Sequence, residues 1–268
     1  MSTMLVAQAQ KAESTPEPST DADVLSLPLL LSGDSIDASF ADTDGAFLAA
    51  FNASEGDTVN IYLNATTDSL DPYLALIGTS EAGTALLAAN DDFDLSVSFD
   101  SAIVGFSIPA DGTYFILATS FTYRNTSLTD GAADLTFNLA IDGNTQPADI
   151  PEDSFSYYVV NTAVGETITL DINQDAPAYL VAFHGEEGQQ VTLDVPSDSL
   201  DTLVMLFDNL GQRVGVDDDG GDSFSAQLQA TLPTTGVYLA FVTTYDFANI
   251  ANGDTTVTDG SIDFSVTE

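Results

Sequence analysis

One pattern of 17 residues occurs twice. "FLAAFNASEGDTVNIYL" (47–63) lines up with "YLVAFHGEEGQQVTLDV" (179–195), a spacing of 132 residues. Four further blocks follow in the same order. "DSLD" (68–71) recurs at 198–201, "LAANDDFD" (87–94) as "VGVDDDGGD" (214–222), "IPADGTYFILATSF" (108–121) as "LPTTGVYLAFVTTY" (232–245), and "TDGAADLTF" (129–137) as "TDGSIDFSV" (258–266). A chain with this pattern folds as two copies of one unit. We expect domains at 24–145 and 154–268 joined by a linker at 146–153. Residues 1–23 read as a flexible arm or the remnant of a signal peptide. Within that arm, "KAESTPEPSTDAD" (11–23) has nothing to bury. With 268 residues, each copy can bury a core without staples.

Inside each copy, apolar and polar residues alternate over short runs such as "TVNIYLNA", "YLALIG" and "VTLDV". Gly, Asp, Asn or Pro punctuates them every eight to twelve residues. No sustained helical period appears. Lys11, Arg124 and Arg213 are the only basic side chains, so helix-supporting ion pairs four residues apart are missing. The expectation is all-β: two tandem antiparallel sandwiches, each of about eight strands in two packed sheets.

The second copy runs "DSLD" (198–201), "LFDNLG" (206–211), "DDDGGDS" (217–223) and "LPTTGVYLAFV" (232–242). This order resembles the bacterial pre-peptidase C-terminal domain, and the likeness covers most of both copies, with Gly112 and Tyr114 in the first and Gly236 and Tyr238 in the second. The resemblance implies a jelly-roll-like sandwich in an extracellular, non-catalytic module, with calcium sites in some members. The context departs from the family's pattern, because no peptidase domain accompanies the two copies.

Charge then separates the partners. At a formal net charge of -39, the chain repels phosphate backbones and anionic lipid alike, which argues against nucleic acid and membrane insertion. No apolar run reaches the roughly 18 residues that span a bilayer. Cysteine is absent, which removes thiolate metal sites and cysteine nucleophiles. Of the 42 acidic residues, nine are Glu, leaving 33 Asp, a hard oxygen ligand that favours turns. Asp71, Asn90, Asp91, Asp92 and Asp94 in the first copy, and Asp201, Asp217, Asp218, Asp219 and Asp222 in the second, are candidate calcium ligands. Neither loop is a helix-loop-helix calcium loop, and a solvated acidic turn is the plain alternative.

His184 is the only histidine, and its counterpart in the first copy is Asn52, so it reads as a hairpin residue rather than a base, and the chain as no enzyme. Phe51, Phe183, Tyr114 and Tyr238 read as core. The loops 122–130 and 244–254 are where a binding surface would lie. The functional expectation is a secreted or cell-surface, calcium-binding β-sandwich protein in adhesion or self-assembly. There the apolar segments "MLVAQAQ" and "VLSLPLLLSG" complete a sheet edge of a second copy or another extracellular protein; the plain alternative is that "LSLPLLL" is the first strand of the first copy. The alternative is a substrate-targeting accessory module of a secreted peptidase or glycoside hydrolase, binding protein or polysaccharide. Salt adaptation would explain the acidity without calcium.

Overall fold

The computed structural model describes residues 27–40, 45–67, 70–80, 83–93, 100–120, 135–145, 160–174, 176–245 and 258–268. The first repeat supplies β1 (Ser35–Phe40), β2 (Ala46–Ala53), β3 (Thr58–Ala65), β4 (Pro72–Ser80), β5 (Gly83–Asn90), β6 (Ser101–Ser107), β7 (Gly112–Ser120) and β8 (Leu135–Gly143). The second supplies β9 (Val160–Asn161), β10 (Thr167–Ile172), β11 (Ala178–Gly185), β12 (Gln190–Val195), β13 (Thr202–Phe207), β14 (Arg213–Asp217), β15 (Ala226–Thr231), β16 (Gly236–Thr244) and β17 (Gly260–Thr267). The chain is all-β among these residues, as the alternation implies.

Each repeat owns one four-stranded sheet, ordered β1-β8-β3-β6 in the first and β10-β17-β12-β15 in the second. The facing sheets are not separate. They join into one nine-stranded sheet in the order β14-β13-β16-β11-β5-β4-β7-β2, with β9 beside β11. Ala178 of β11 pairs with Thr84 of β5, while Phe47 of β2 bridges Gln212, and the Leu48 amide donates to the Gly211 carbonyl at 2.8 Å. Each repeat thus reaches the other through its own hairpin, at β2 in the first and at β11, its counterpart, in the second, a reciprocal arrangement like that of a two-fold dimer.

The joined sheet is buried on both faces, and alternate residues serve different cores. Along β13, Val204 and Leu206 enter the core of the second repeat, whereas Leu203, Met205 and Phe207 enter a central core between the repeats. Leu48, Ala50, Phe115 and Leu117 meet them from the first repeat. The private core of the first repeat holds Phe51, Ile61, Leu76 and Phe137.

Strand register runs alike in the two sequence repeats, except at the last strand. Leu74 faces Asn90 as Val204 faces Asp217, and Phe51 faces Tyr114 as Phe183 faces Tyr238. In the last strand, however, Ser35 faces Ala140 as Thr167 faces Ser265. The described end of that block, 135–137, is therefore four residues out of step with 264–266, while its "TDG" at 129–131 lies outside the described residues. The stretch "VLSLPLLLSG" follows the plainer of its two readings where it is described. Leu29 bridges Ala50 in parallel, just as Asn161 pairs with Ala182, and Leu27 and Leu30 are buried. Residues 27–30 of this stretch thus form the opening strand segment of their own repeat. The linker at 146–153, residues 1–23 and the loop 122–130 lie outside the described residues, as does 244–254 beyond Tyr245.

Candidate functional site

Both acidic turns begin where a strand of the joined sheet crosses to the private sheet, β5 to β6 and β14 to β15. A crossing leaves backbone groups at the edge of each sheet needing partners. The Asn90 Oδ1 accepts from the Ala102 amide at 3.0 Å and its Nδ2 donates to the Asp92 carbonyl at 3.3 Å. In the second repeat Asp217 takes the same place, its Oδ2 accepting from the amides of Gln227 and Gly220, both at 2.8 Å. These two expected ligands are latches that hold the sheets together at the crossing. The glycine is required there, because a Cβ on Gly220 would stand 2.6 Å from both Asp217 carboxylate oxygens.

Behind the latches the repeats solve one problem with exchanged side chains. The Ser101 hydroxyl lies within hydrogen-bond distance of the carbonyls of Pro72 and Asp91. In the second repeat the hydroxyl sits on Thr202, donating to the Val195 carbonyl and accepting from the Ala226 amide, both at 2.8 Å.

The carboxylates beyond the latches are crowded. Burial pushes Asp71 up to about 6, and the nearby charges of Asp92 and Asp91 push in the same direction. Asp92 is raised by burial and by Asp91, and its Oδ1 is buried without a hydrogen-bond partner. Asp218 is raised by burial, then by Asp219 and Asp217. So the structure brings Asp71, Asp91 and Asp92 together in one repeat and Asp217, Asp218 and Asp219 in the other. Asp201 immediately precedes β13, its carbonyl accepting from the Tyr245 amide at 2.8 Å. Asp222 is exposed and engages through its carbonyl, which accepts from Ser225. Asp94 lies outside the described residues. Among the described residues, no three acidic or histidine side chains form a group able to hold a metal ion.

Sequence reasoning placed Tyr245 in a candidate binding loop but missed Phe93 and Phe224. Phe93 is 57% exposed and Phe224 64%. The Phe224 carbonyl accepts from the Thr202 amide at 3.0 Å, so Phe224 and Tyr245, itself 37% exposed, are fixed on either side of Asp201. By contrast Phe51 stacks on Tyr114 at 5.6 Å and Phe183 on Tyr238 at 5.8 Å, inside the cores. Each of these tyrosines donates its hydroxyl to the carbonyl four residues earlier, Ala110 and Thr234. The Gly-x-Tyr strand is thereby tied to its preceding turn in both repeats. Residues 48–120 match the bacterial pre-peptidase C-terminal domain.

The stretch matching that pre-peptidase C-terminal domain runs from β2 to the end of β7 and contains the whole first acidic crossing. Among solved structures the chain is similar to the pre-peptidase C-terminal domain of collagenase from Bacillus anthracis, at 15% identity over 40% of this chain and 93% of that one, with a TM-score of 0.31. It is similar also to PliG, a periplasmic inhibitor of g-type lysozyme from Aeromonas hydrophila, at 16% identity over 40% and 93%, TM-score 0.27. A putative secreted protein from Eubacterium rectale matches at 12% identity over 87% of this chain and 68% of that one, TM-score 0.19. No curated protein matches the sequence.

The crowding at the first acidic crossing predicts a pH effect with a definite sign. Asp71 binds its proton more tightly in the folded chain than at the usual 3.8. Its contribution is therefore fully present below about pH 4 and is lost as pH rises through about 6. Asp71→Asn, a neutral mimic of the protonated acid, should stabilise the metal-free protein at pH 7 by about 1 kcal/mol. That figure is the full shift discounted for solvent screening of a half-buried group. The gain should vanish at pH 4, read from denaturant midpoints.

Proposed function

We propose that the protein is a non-catalytic accessory module that holds a secreted hydrolase's polymeric substrate, a protein or a polysaccharide. The observation that carries this reading is the match of residues 48–120 to a domain named for its place beside peptidases. The contact surface is the loop end of the sandwiches, where Phe93, Phe224 and Tyr245 stand exposed beside carboxylates. Exposed aromatics anchored through their backbones offer area at low entropic penalty. The adhesion and self-assembly expected from the sequence gain no comparable support, because 27–30 is already spent within its own repeat. Monomeric protein should be retained on insoluble protein or polysaccharide, and Phe224→Ala with Tyr245→Ala should lower retention about tenfold or more. Retention unchanged in that double variant removes the loop end as the contact surface. Absence of retention on either polymer class removes the module reading.

Calcium at the acidic crossings is a second reading, favoured by the unpartnered Asp92 oxygen and the mutual repulsion around Asp71 and Asp218. Asp71, Asp91 and Asp92 would hold one ion, and Asp201, Asp218 and Asp219 another, once the side chains draw closer than their described positions. A ligand specific to the folded state adds about 2.7 kcal/mol at a hundredfold excess over its dissociation constant. Unfolding in chelator and then in rising calcium should raise the midpoint by several degrees, with magnesium inert. In calcium the effect of Asp71→Asn should also change sign. An unmoved midpoint returns both crossings to solvated acidic turns.

A further inference from the structure

At the opposite end of the second repeat from the acidic crossing is a cleft of about 590 Å³, lined by His184, Glu186, Glu187, Gln189, Glu268 and Val164 among others. No lysine or arginine lines it. One amide organises it. The Gln189 Oε1 accepts from the Glu186 backbone amide at 3.0 Å, and its Nε2 donates to the Glu268 Oε1 at 3.0 Å. The Glu187 amide donates to the Thr235 hydroxyl at 2.9 Å, which fixes the backbone between the two glutamates.

The first repeat shows what the fold alone demands at this place. There Asp57 Oδ2 accepts from the Ser54 amide at 2.9 Å, and Asp111 Oδ1 accepts from the Glu55 amide at 2.8 Å, so the backbone frame is the same. Yet Asn52 stands where the second repeat has His184, Ser54 where it has Glu186, Asp57 where it has Gln189, and Gly143 where it has Glu268. The turn needs only a short capping oxygen. The first repeat keeps a carboxylate, Glu55, where the second has Glu187; the longer Gln189, which caps and also reaches Glu268, and the carboxylates of Glu186 and Glu268 are divergence that the turn does not require.

We propose that this cleft receives a guanidinium group, that of an arginine side chain presented on a polypeptide. The carboxylates and imidazole do not form a metal-holding group, whereas a guanidinium is planar, spreads its charge over five donors and engages separate carboxylates at once. The aliphatic stem has Val164 to lie against, and the imidazole offers a flat face. The surrounding charge draws cations inward. That the arginine belongs to a polypeptide rests on the accessory reading above; recognition of the guanidinium does not.

His184, as the only histidine, gives one set of imidazole proton signals, so occupancy can be read directly by NMR. Titration with acetyl-Gly-Arg-Gly-amide should move those signals saturably, while acetyl-Gly-Gln-Gly-amide should leave them in place. Glu186→Gln with Glu187→Gln should weaken the arginine peptide about tenfold or more. Glu55→Gln with Asp37→Asn, which removes the same charge from the first repeat, should change it less than twofold. No saturable movement, equal movement with the glutamine peptide, or equal weakening in the two double variants overturns the proposal. Peptide binding with no retention on any polymer removes the accessory reading and leaves the cleft. Retention without peptide binding removes the cleft alone.

Discussion

Truncation of Phe241 to alanine should lower the thermal midpoint by roughly 6–20 °C, although both private sandwich cores keep every side chain. Phe241 is 1% exposed and stands opposite Leu180 on β11 and Met205 on β13, in the central core that Leu48 and Phe115 reach from the first repeat. A Phe→Ala change in a packed core costs about 3–5 kcal/mol, and each kcal/mol is about 2–4 °C for a chain approaching this size. The cavity is shared between repeats, so the substitution should also split one unfolding transition into two, seen by calorimetry. Phe264→Ala is the control. It opens a comparable cavity within the second repeat's own core and should lower that repeat's stability while leaving the central core's own contacts in place. A shift of less than about 2 °C for Phe241→Ala would mean that the central core adds little to stability.

That coupling was written in the sequence in a form easily misread. "VTLDV" and "TVNIYL" alternate, and these strands have one face on a core and one toward solvent. "TLVMLF" does not alternate; it is apolar throughout, because both of its faces are covered. The same holds for "FLAAF" in β2 and "YLAFV" in β16. Reading all of these as ordinary sandwich strands recovers the fold class but misses the third core. Duplication was legible because hairpin turns and cross-strand partners were retained, as at Phe51 with Tyr114 and Phe183 with Tyr238. The candidate site was less legible. Composition gathers Asn90 and Asp217 with the other acidic-turn residues, but only three-dimensional structure shows that their oxygens already receive backbone amides. The Phe224 and Tyr245 pair leaves no local pattern, since what joins them is that they bond adjacent residues, Thr202 and Asp201, at the entry to β13. The cleft beside His184 was hidden for a related reason: Glu268 is far from Gln189 in sequence, and only the β12–β17 ladder brings them to one edge.

Gly211→Ala should destabilise the protein by about 3 kcal/mol or more, several times the loss for Gly56→Ala. Both glycines sit at positive φ, +79° at Gly211 and +84° at Gly56, so alanine meets a similar backbone penalty of about 1 kcal/mol at each. Their surroundings differ. A Cβ at Gly56 meets nothing within 4 Å, whereas at Gly211 it would lie 2.0 Å from the Leu48 carbonyl oxygen. That oxygen belongs to a backbone whose amide donates to the Gly211 carbonyl, so relief of the clash pulls apart the hydrogen bond as well. Its loss adds about 1 kcal/mol, and the displaced turn loosens the edge of the joined sheet beside buried Leu48. The pair of variants isolates the junction, because the conformational term cancels between them. Equal losses in denaturant midpoint at the two glycines would mean that the hairpin of the second repeat does not hold β2, and that the repeats are joined by the central core and the β5–β11 contact alone.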